Sequence, residues 1–367
     1  MPEKKQVRNS DPACGENTKG EGMKDIGLTK EITTGRYLNP FDNFQPREIV
    51  IEERYDETTG VASRILPYRL RPAQKPDTDA YLEKSPESLC PFCPGLFDKL
   101  TPKFTPDILA EGKFKKGEAY LFPNAFPYDA TNTVAILSSR HFIPLDQLTP
   151  DAMRDGFAVC RDYFYRMAEL QKGYQYCSIN WNYMPPSGGG LVHPHLQTIA
   201  GRHPTSFVRR LLASAQNYAA ESEVGNLWRN ILVLEQEAAE RFIASTGVVH
   251  WLTAFSPKGM AGEIDFYFKE KTSFFDLTEA NFDEFLEGLS RVFLYLSVNN
   301  YMSFNLSLYA TMTPEKNFWV QGKIVPRFEL NPLGTSDLNY FEKLHDEIIC
   351  PVVPEQLCKE LQPYFQT

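Results

Sequence analysis

The stretch Val192-His193-Pro194-His195-Leu196-Gln197-Thr198-Ile199 organises the whole reading. In an extended strand alternate residues share a face, so His193, His195 and Gln197 project together. Two imidazoles and a carboxamide on one face suit metal binding or phosphoryl chemistry. A half-buried strand with incidental polar residues is the bland alternative. It fits poorly, because the chain has six histidines and two of them fall one residue apart. The run Ser187-Gly188-Gly189-Gly190 directly precedes them, and glycine backbone can approach a phosphate closely. Alone, such a run is a plain turn; beside the histidines it gains weight.

Working outward, Tyr176–Trp181 reads as a strand, and before it comes the clearest helix. Thr149 is a good N-cap and Pro150 suits the first helical position. Met153, Phe157, Cys160, Phe164 and Met167 then recur as one apolar stripe, closed by Gly173. Earlier strands are expected at Ala119–Phe122 and Thr133–Leu137. A hairpin is expected from Glu48–Ile51 through the turn at Asp56–Gly60 to Ala62–Leu66. Residues 1–36 are polar and read as a disordered tail.

Later in the chain the same order returns. Asn124-Ala125-Phe126 recurs as Thr253-Ala254-Phe255, Leu148-Thr149 as Leu277-Thr278, and Ser178-Ile179-Asn180 as Ser303-Phe304-Asn305. A second helix carries Phe282, Phe285, Leu289, Val292 and Leu296 on one face. Three matches in order suggest an internal duplication. The expected division is a tail at 1–36, a catalytic half at 37–205 and a degenerate second half at 206–367. The 367 residues suit two such units.

Cys90-Pro91-Phe92-Cys93 has zinc-ligand spacing. A redox pair or two idle thiols are the alternatives. Zinc needs two further ligands, for which His141 and His193 are candidates. Seven cysteines with one tight pair fit a reducing cytoplasm. No signal peptide or membrane span is visible. A net charge of -9 lacks the basic footprint of a nucleic-acid binder, so any nucleotide handled is a small molecule. His203, His250 and His345 stand alone and read as surface or packing residues. The Tyr163-Phe164-Tyr165 cluster reads as helix packing.

Cys90-Pro-Phe-Cys93-Pro-Gly95, the lone His141 and His193-Pro-His195-Leu-Gln197 together resemble the galactose-1-phosphate uridylyltransferase family of the histidine-triad superfamily. That group includes ADP-sugar and dinucleoside polyphosphate phosphorylases. The resemblance runs from about Asn39 to the C-terminus and is faint in the second half. It implies an α+β fold of two histidine-triad-like halves, each an antiparallel sheet packed by a long helix. It implies zinc held by Cys90, Cys93, His141 and His193, with His195 as the nucleophile toward an α-phosphorus. Gln197 would donate to a phosphoryl oxygen, and glutamine at this position favours transfer over hydrolysis. By the same resemblance Asn124, Asn182, Arg69 and Arg71 would contact the nucleotide and Glu342 a sugar hydroxyl, while the Gly189 and Gly190 backbone, in a loop Met184–Gly190 that departs from the family run, would approach a phosphate. A homodimer is implied, with the partner chain able to complete the site.

The expected activity is transfer of a nucleoside monophosphate, UMP first, from a nucleotide sugar to a hexose 1-phosphate. A phosphorylase is the alternative, and a zinc-stabilised nucleotide-binding protein the non-enzyme one. The second half departs from the family pattern. Its H-x-H positions fall at Gly322 and Ile324, its lone histidine at Glu270, and its acidic ligand near Leu211, so a second metal is not expected. The lysine usually found before a G-Y-E segment is also absent near Tyr340-Phe-Glu342.

Overall fold

The computed structural model describes residues 26–56, 58–71, 77–222, 225–330 and 334–366. Strands β1 (Leu28–Asn39), β2 (Gln45–Asp56) and β3 (Val61–Ile65) open the chain. Short helices α1 (Thr78–Lys84) and α2 (Phe97–Leu100) flank the cysteine pair. The first half follows as β4 (Phe114–Lys116), β5 (Ala119–Pro123), β6 (Thr133–Ile136), α3 (Pro150–Glu169), β7 (Tyr176–Tyr183) and β8 (His195–Gly201). Two helices intervene, α4 (Ser206–Glu221) and α5 (Leu227–Ala238). The second half is β9 (Phe242–Thr246), β10 (Val249–Thr253), β11 (Ile264–Phe268), α6 (Glu279–Val298), β12 (Ser303–Thr311) and β13 (Gln321–Arg327). The chain ends with β14 (Glu329–Leu330), β15 (Thr335–Ser336), α7 (Tyr340–His345), β16 (Glu347–Cys350) and α8 (Pro354–Phe365).

The largest sheet runs β4-β5-β6-β8-β7-β12-β13-β11-β10-β9, and the halves mirror each other about the β7–β12 seam. Along that seam Asn182 pairs with Asn305 and Asn180 with Ser307. The two expected antiparallel sheets are thus joined edge to edge, and neither half leaves an open inner edge there. One apolar core serves both, because α3 and α6 pack on the same face of the shared sheet.

Both long helices form where the periodicity puts them. The Thr149 hydroxyl accepts from the Ala152 amide, with Pro150 at the first helical position. The Thr278 hydroxyl accepts from the Asn281 amide. Met153, Phe157, Cys160, Phe164 and Met167 are all buried, as are Phe282, Phe285, Leu289, Val292 and Leu296. Helix α3 stops at Glu169, four residues short of the expected Gly173 stop, with Leu170 as its C-cap.

The hairpin of β2 and β3 forms, and β16 adds to β3 in parallel. The expected tail at 1–36 needs correction. Residues 1–25 lie outside the described residues, but Leu28–Asn39 is strand, paired over its whole length with β2. Its polar composition hid Thr29, Ile32, Thr33 and Thr34, β-branched residues that favour a strand once a partner is present. Among the described residues no helix is long and apolar enough to cross a membrane.

The outer face of the large sheet, opposite α3 and α6, has three zones. Over the first half, Phe97 packs on Phe122, Val134 and Ile136, with Phe92 against the cluster. Over the second half, α4 and α5 cover Leu252 and Tyr267. Between these covers the central strands β7, β8 and β12 are left open.

Candidate active site and metal centre

A candidate metal centre forms where the cysteine segment meets the start of β8. Cys90, Cys93, His141 and His193 place their ligand atoms within 4.8 Å of one another. Cys93 Sγ lies 3.3 Å from His141 Nδ1 and 3.5 Å from His193 Nδ1, and Cys90 Sγ lies 3.7 Å from His193 Nδ1. Tetrahedral bonds of ordinary zinc–sulfur and zinc–nitrogen length would set sulfur and nitrogen about 3.6 Å apart. The spacing therefore fits a tetrahedral cation. The outer shell agrees. His141 Nε2 lies 2.7 Å from the Ser85 carbonyl and His193 Nε2 lies 2.9 Å from the Ser138 carbonyl. Each contact requires the proton on Nε2 and leaves Nδ1 free for a metal ion. Burial pushes His193 down to about 4, against the opposing Ser138 carbonyl, so its imidazole is neutral. Burial, with the hydrogen bond and charge of Cys90, pushes the Cys93 thiol up to about 12. The Cys93 thiol therefore gives up its proton when a cation enters.

His193 lies just before β8 and turns to this centre, while His195 is the first residue of the strand. His195 and Gln197 share the outer face, and Leu196 between them is fully buried in the core. His195 is buried beside Phe92, whose ring centroid is 5.3 Å away. Its Nδ1 lies 2.7 Å from the His193 carbonyl. A carbonyl only accepts, so that nitrogen carries the proton and Nε2 carries the lone pair. Among the described residues His195 Nε2 makes no hydrogen bond. Burial lowers the His195 pKa, with the His193 carbonyl opposing, and this favours the neutral ring.

A cavity of about 520 Å³ opens over the central strands, lined by Gln197, Asn180, Asn182, Ser178, Ser307 and Tyr309 among others. Gln197 Oε1 lies 3.5 Å from the side-chain nitrogens of both Asn124 and Asn132, and Asn124 donates to Asn132 Oδ1 at 2.8 Å. Gln197 and Asn182 line this cavity, Asn124 reaches it through Gln197, and His195, two residues before Gln197 on the same face of β8, is not itself a lining residue. Gly189 is buried under the loop, and an added Cβ would sit 2.9 Å from the Asn182 carbonyl. Gly190 is exposed with open space at its Cα. Neither glycine lines the cavity.

Other expected residues lie apart. Arg69 and Arg71 are exposed where the chain leaves β3, and neither lines the cavity. Glu342 lines a separate cavity of about 150 Å³ with Lys258, Asn305, Arg327 and Asp337. The expected match of Gly322 and Ile324 to the H-x-H pair also needs correction. Ile324 lies in the core and a Cβ on Gly322 would meet Phe266, so both face α6. Lys323 takes the outer face instead, donating to Glu263 at 2.5 Å and to both Asp265 oxygens at 2.9 and 3.0 Å. Matching by sequence offset slipped one residue, and one residue exchanges the faces of a strand.

Several contributors escaped the sequence reading. His203, read as a surface or packing residue, lines the cavity. Asn132 was missed although it lies eight residues from Asn124, because a lone asparagine before a strand carries no pattern. The carbonyls of Ser85 and Ser138 have no sequence signal at all.

No family model matches the chain. An uncharacterized protein of Archaeoglobus fulgidus is 30% identical over 345 residues, spanning 93% of this chain and 98% of that one. Among solved structures, an ADP-glucose phosphorylase from Arabidopsis thaliana with bound ADP-glucose superposes with a TM-score of 0.63. It is 19% identical, with 85% of this chain and 98% of that chain covered. A galT-like protein from the same plant gives 0.61 at 17% identity, with 85% and 98% covered. A uridylyltransferase gives 0.60 at 18% identity, with 86% and 98% covered. The chain belongs to one family with the Archaeoglobus fulgidus protein and has the galactose-1-phosphate uridylyltransferase-like fold of the histidine-triad type.

Proposed function

We propose that this protein is a nucleotidyltransferase. It moves a nucleoside monophosphate, UMP in the first reading, from a nucleotide sugar to a hexose 1-phosphate through a covalent nucleotidyl-His195. The observation that carries this reading is the His195 ring, whose Nδ1 faces a backbone carbonyl at 2.7 Å so that Nε2 bears the lone pair. In the first step that lone pair forms an N–P bond to the α-phosphorus. The P–O bond to the leaving sugar phosphate breaks, and its electrons stay on the departing oxygen. In the second step an acceptor phosphate oxygen attacks the same phosphorus and the N–P pair returns to His195. Such transfers need positioning and charge stabilisation, and the Gln197, Asn124 and Asn182 amides are the donors at hand.

Cys90, Cys93, His141 and His193 hold zinc in this reading. A zinc ion there supplies structural closure of the cysteine segment onto the start of β8, and through it fixes where His195 begins its strand. The protein works in the cytoplasm as a homodimer.

A phosphorylase using inorganic phosphate and an ADP-sugar or dinucleoside polyphosphate is the second reading. Glu342, expected to contact a hexose, lies in a different cavity of this chain, and a phosphate acceptor needs no such contact.

The test is intact mass after incubation with UDP-glucose or ADP-glucose and no acceptor. One nucleoside monophosphate should add to the wild-type chain and none to His195→Ala. Full turnover in His195→Ala would sink the nucleophile assignment, and the donor that labels the chain names the base.

A further inference from the structure

A polar chain crosses the seam between the halves. Asp337, almost fully buried, receives two hydrogen bonds from Arg327, at 2.7 Å from Nε and 2.6 Å from Nη2. The remaining Arg327 nitrogen, Nη1, donates to Asn305 Oδ1 at 2.7 Å. Asn305 Nδ2 donates to Asn182 Oδ1 at 2.7 Å and to the Ser187 carbonyl at 2.9 Å. Asn182 lines the larger cavity; Arg327, Asn305 and Asp337 line the smaller one.

The polarity of this chain is forced. A guanidinium only donates, so the Asn305 atom facing Arg327 is the oxygen. The Ser187 carbonyl only accepts, so the Asn305 atom facing it is the NH2. Two independent neighbours thus demand the same amide orientation. That NH2 also faces Asn182, so the Asn182 atom turned to it is the oxygen. The Asn182 NH2 is left on the other side, without a hydrogen bond among the described residues.

The loop that Asn305 grips is held firmly as well. It begins at Met184, whose φ of 66° is left-handed and costly for a side chain with a Cβ. Ser303 donates to the Tyr183 carbonyl at 2.7 Å, and Ser187 Oγ donates to the Met184 carbonyl at 2.7 Å. The strain persists because β12 fixes the loop from its flank.

We propose that Arg327, in the half without the active histidines, is a positioning residue for the transfer: through Asn305 it locks the Asn182 amide with its NH2 toward the cavity, where it donates to a phosphoryl oxygen. The second half then retains a task. It sets the polarity of a donor in the first half. This inference rests on the reading of His195 given above. A free asparagine amide could equally present its oxygen, which repels a phosphate. Arg327, acting on Asn305 together with the Ser187 carbonyl, removes that choice.

Asn305→Asp is the decisive variant. An aspartate keeps the shape and still accepts from Arg327, but it also accepts from Asn182, drawing that NH2 away and turning the oxygen to the cavity. The Ser187 carbonyl loses its donor in this variant, so thermal stability should fall modestly, and rate and binding are compared at a temperature where the variant is fully folded. The single-turnover rate of His195 labelling by UDP-glucose or ADP-glucose should fall about tenfold to a hundredfold. Binding of UDP or ADP, measured by calorimetry, should weaken in parallel. Arg327→Lys keeps a donor to Asn305 and should recover part of the rate and binding that Arg327→Met loses. A wild-type labelling rate and wild-type binding in Asn305→Asp would overturn the proposal. So would an Arg327→Met loss that matches the unfolded fraction alone. Absence of labelling in the unsubstituted protein sinks the nucleophile reading instead, and the binding comparison still decides the role of Arg327.

Discussion

At the scale of single residues, the chemistry rests on which atom of a side chain faces its neighbour. His141, His193 and His195 each have one ring nitrogen tied to a backbone carbonyl, and in each case the free nitrogen follows from that contact. The candidate metal ligands His141 and His193 present Nδ1 and His195 presents Nε2. Cys93→Ser should remove one thiolate from the tetrahedron. Elemental analysis should find about one equivalent of zinc in the wild type and well under that in the variant, with a lowered melting temperature. Equal metal content in the two proteins would remove Cys93 from the ligand set.

At the scale of elements, the two long helices anchor the shared sheet. Phe285 of α6 is fully buried, with Trp251 stacked 5.8 Å away and Phe266 at 4.8 Å between ring centroids. Truncating such a ring leaves a cavity that close-packed neighbours only partly fill. Phe285→Ala should cost about 3–5 kcal/mol, read from denaturant unfolding. A cost below about 1 kcal/mol would mean that α6 does not anchor the second half. The two long helices α3 and α6 and the strands around them were legible, whereas α4, α5 and α8 were not read from the sequence. The apolar stripes and the Thr-Pro start of α3 depend only on local spacing and capping. The start of β1 was not legible, because its residues become strand by pairing with β2 rather than by composition.

At the scale of the whole molecule, one carboxylate ties three distant pieces. Glu355 of α8 accepts from Arg54 of β2 through two bonds of 2.9 Å and from Arg241, just before β9, at 2.8 Å. Burial alone would raise the Glu355 carboxyl, but the hydrogen bond and charge of Arg54 and the hydrogen bond of Arg241 win and hold it at about 2 rather than 4.5. A carboxyl depressed in the folded state adds stability above its unfolded pKa. That contribution fades as pH falls through the folded value. Glu355→Gln should therefore be less stable than wild type at neutral pH. The gap should begin to close below about pH 4.5 and be gone near pH 2. A gap that does not change with pH across that window would show that the carboxylate charge is not what binds these pieces.

The sequence by itself determined the two long helices α3 and α6, the strands β2, β3, β5, β6, β7 and β8, the repeated order of the two halves, and the candidate residues Cys90, Cys93, His141, His193, His195 and Gln197. Their signals are local, carried by spacing along one strand, one turn or one helix face. Only the tertiary structure decided how the halves meet. Edge pairing at the β7–β12 seam merged their sheets, set Asn305 against Asn182, and moved Glu342 and Arg327 to a cavity of their own. It also put Lys323, not Gly322 or Ile324, on the outer face of β13. Those outcomes follow from strand register and from contacts between separate elements, such as Asn305 with Asn182 across the seam, and no local spacing in the chain encodes them.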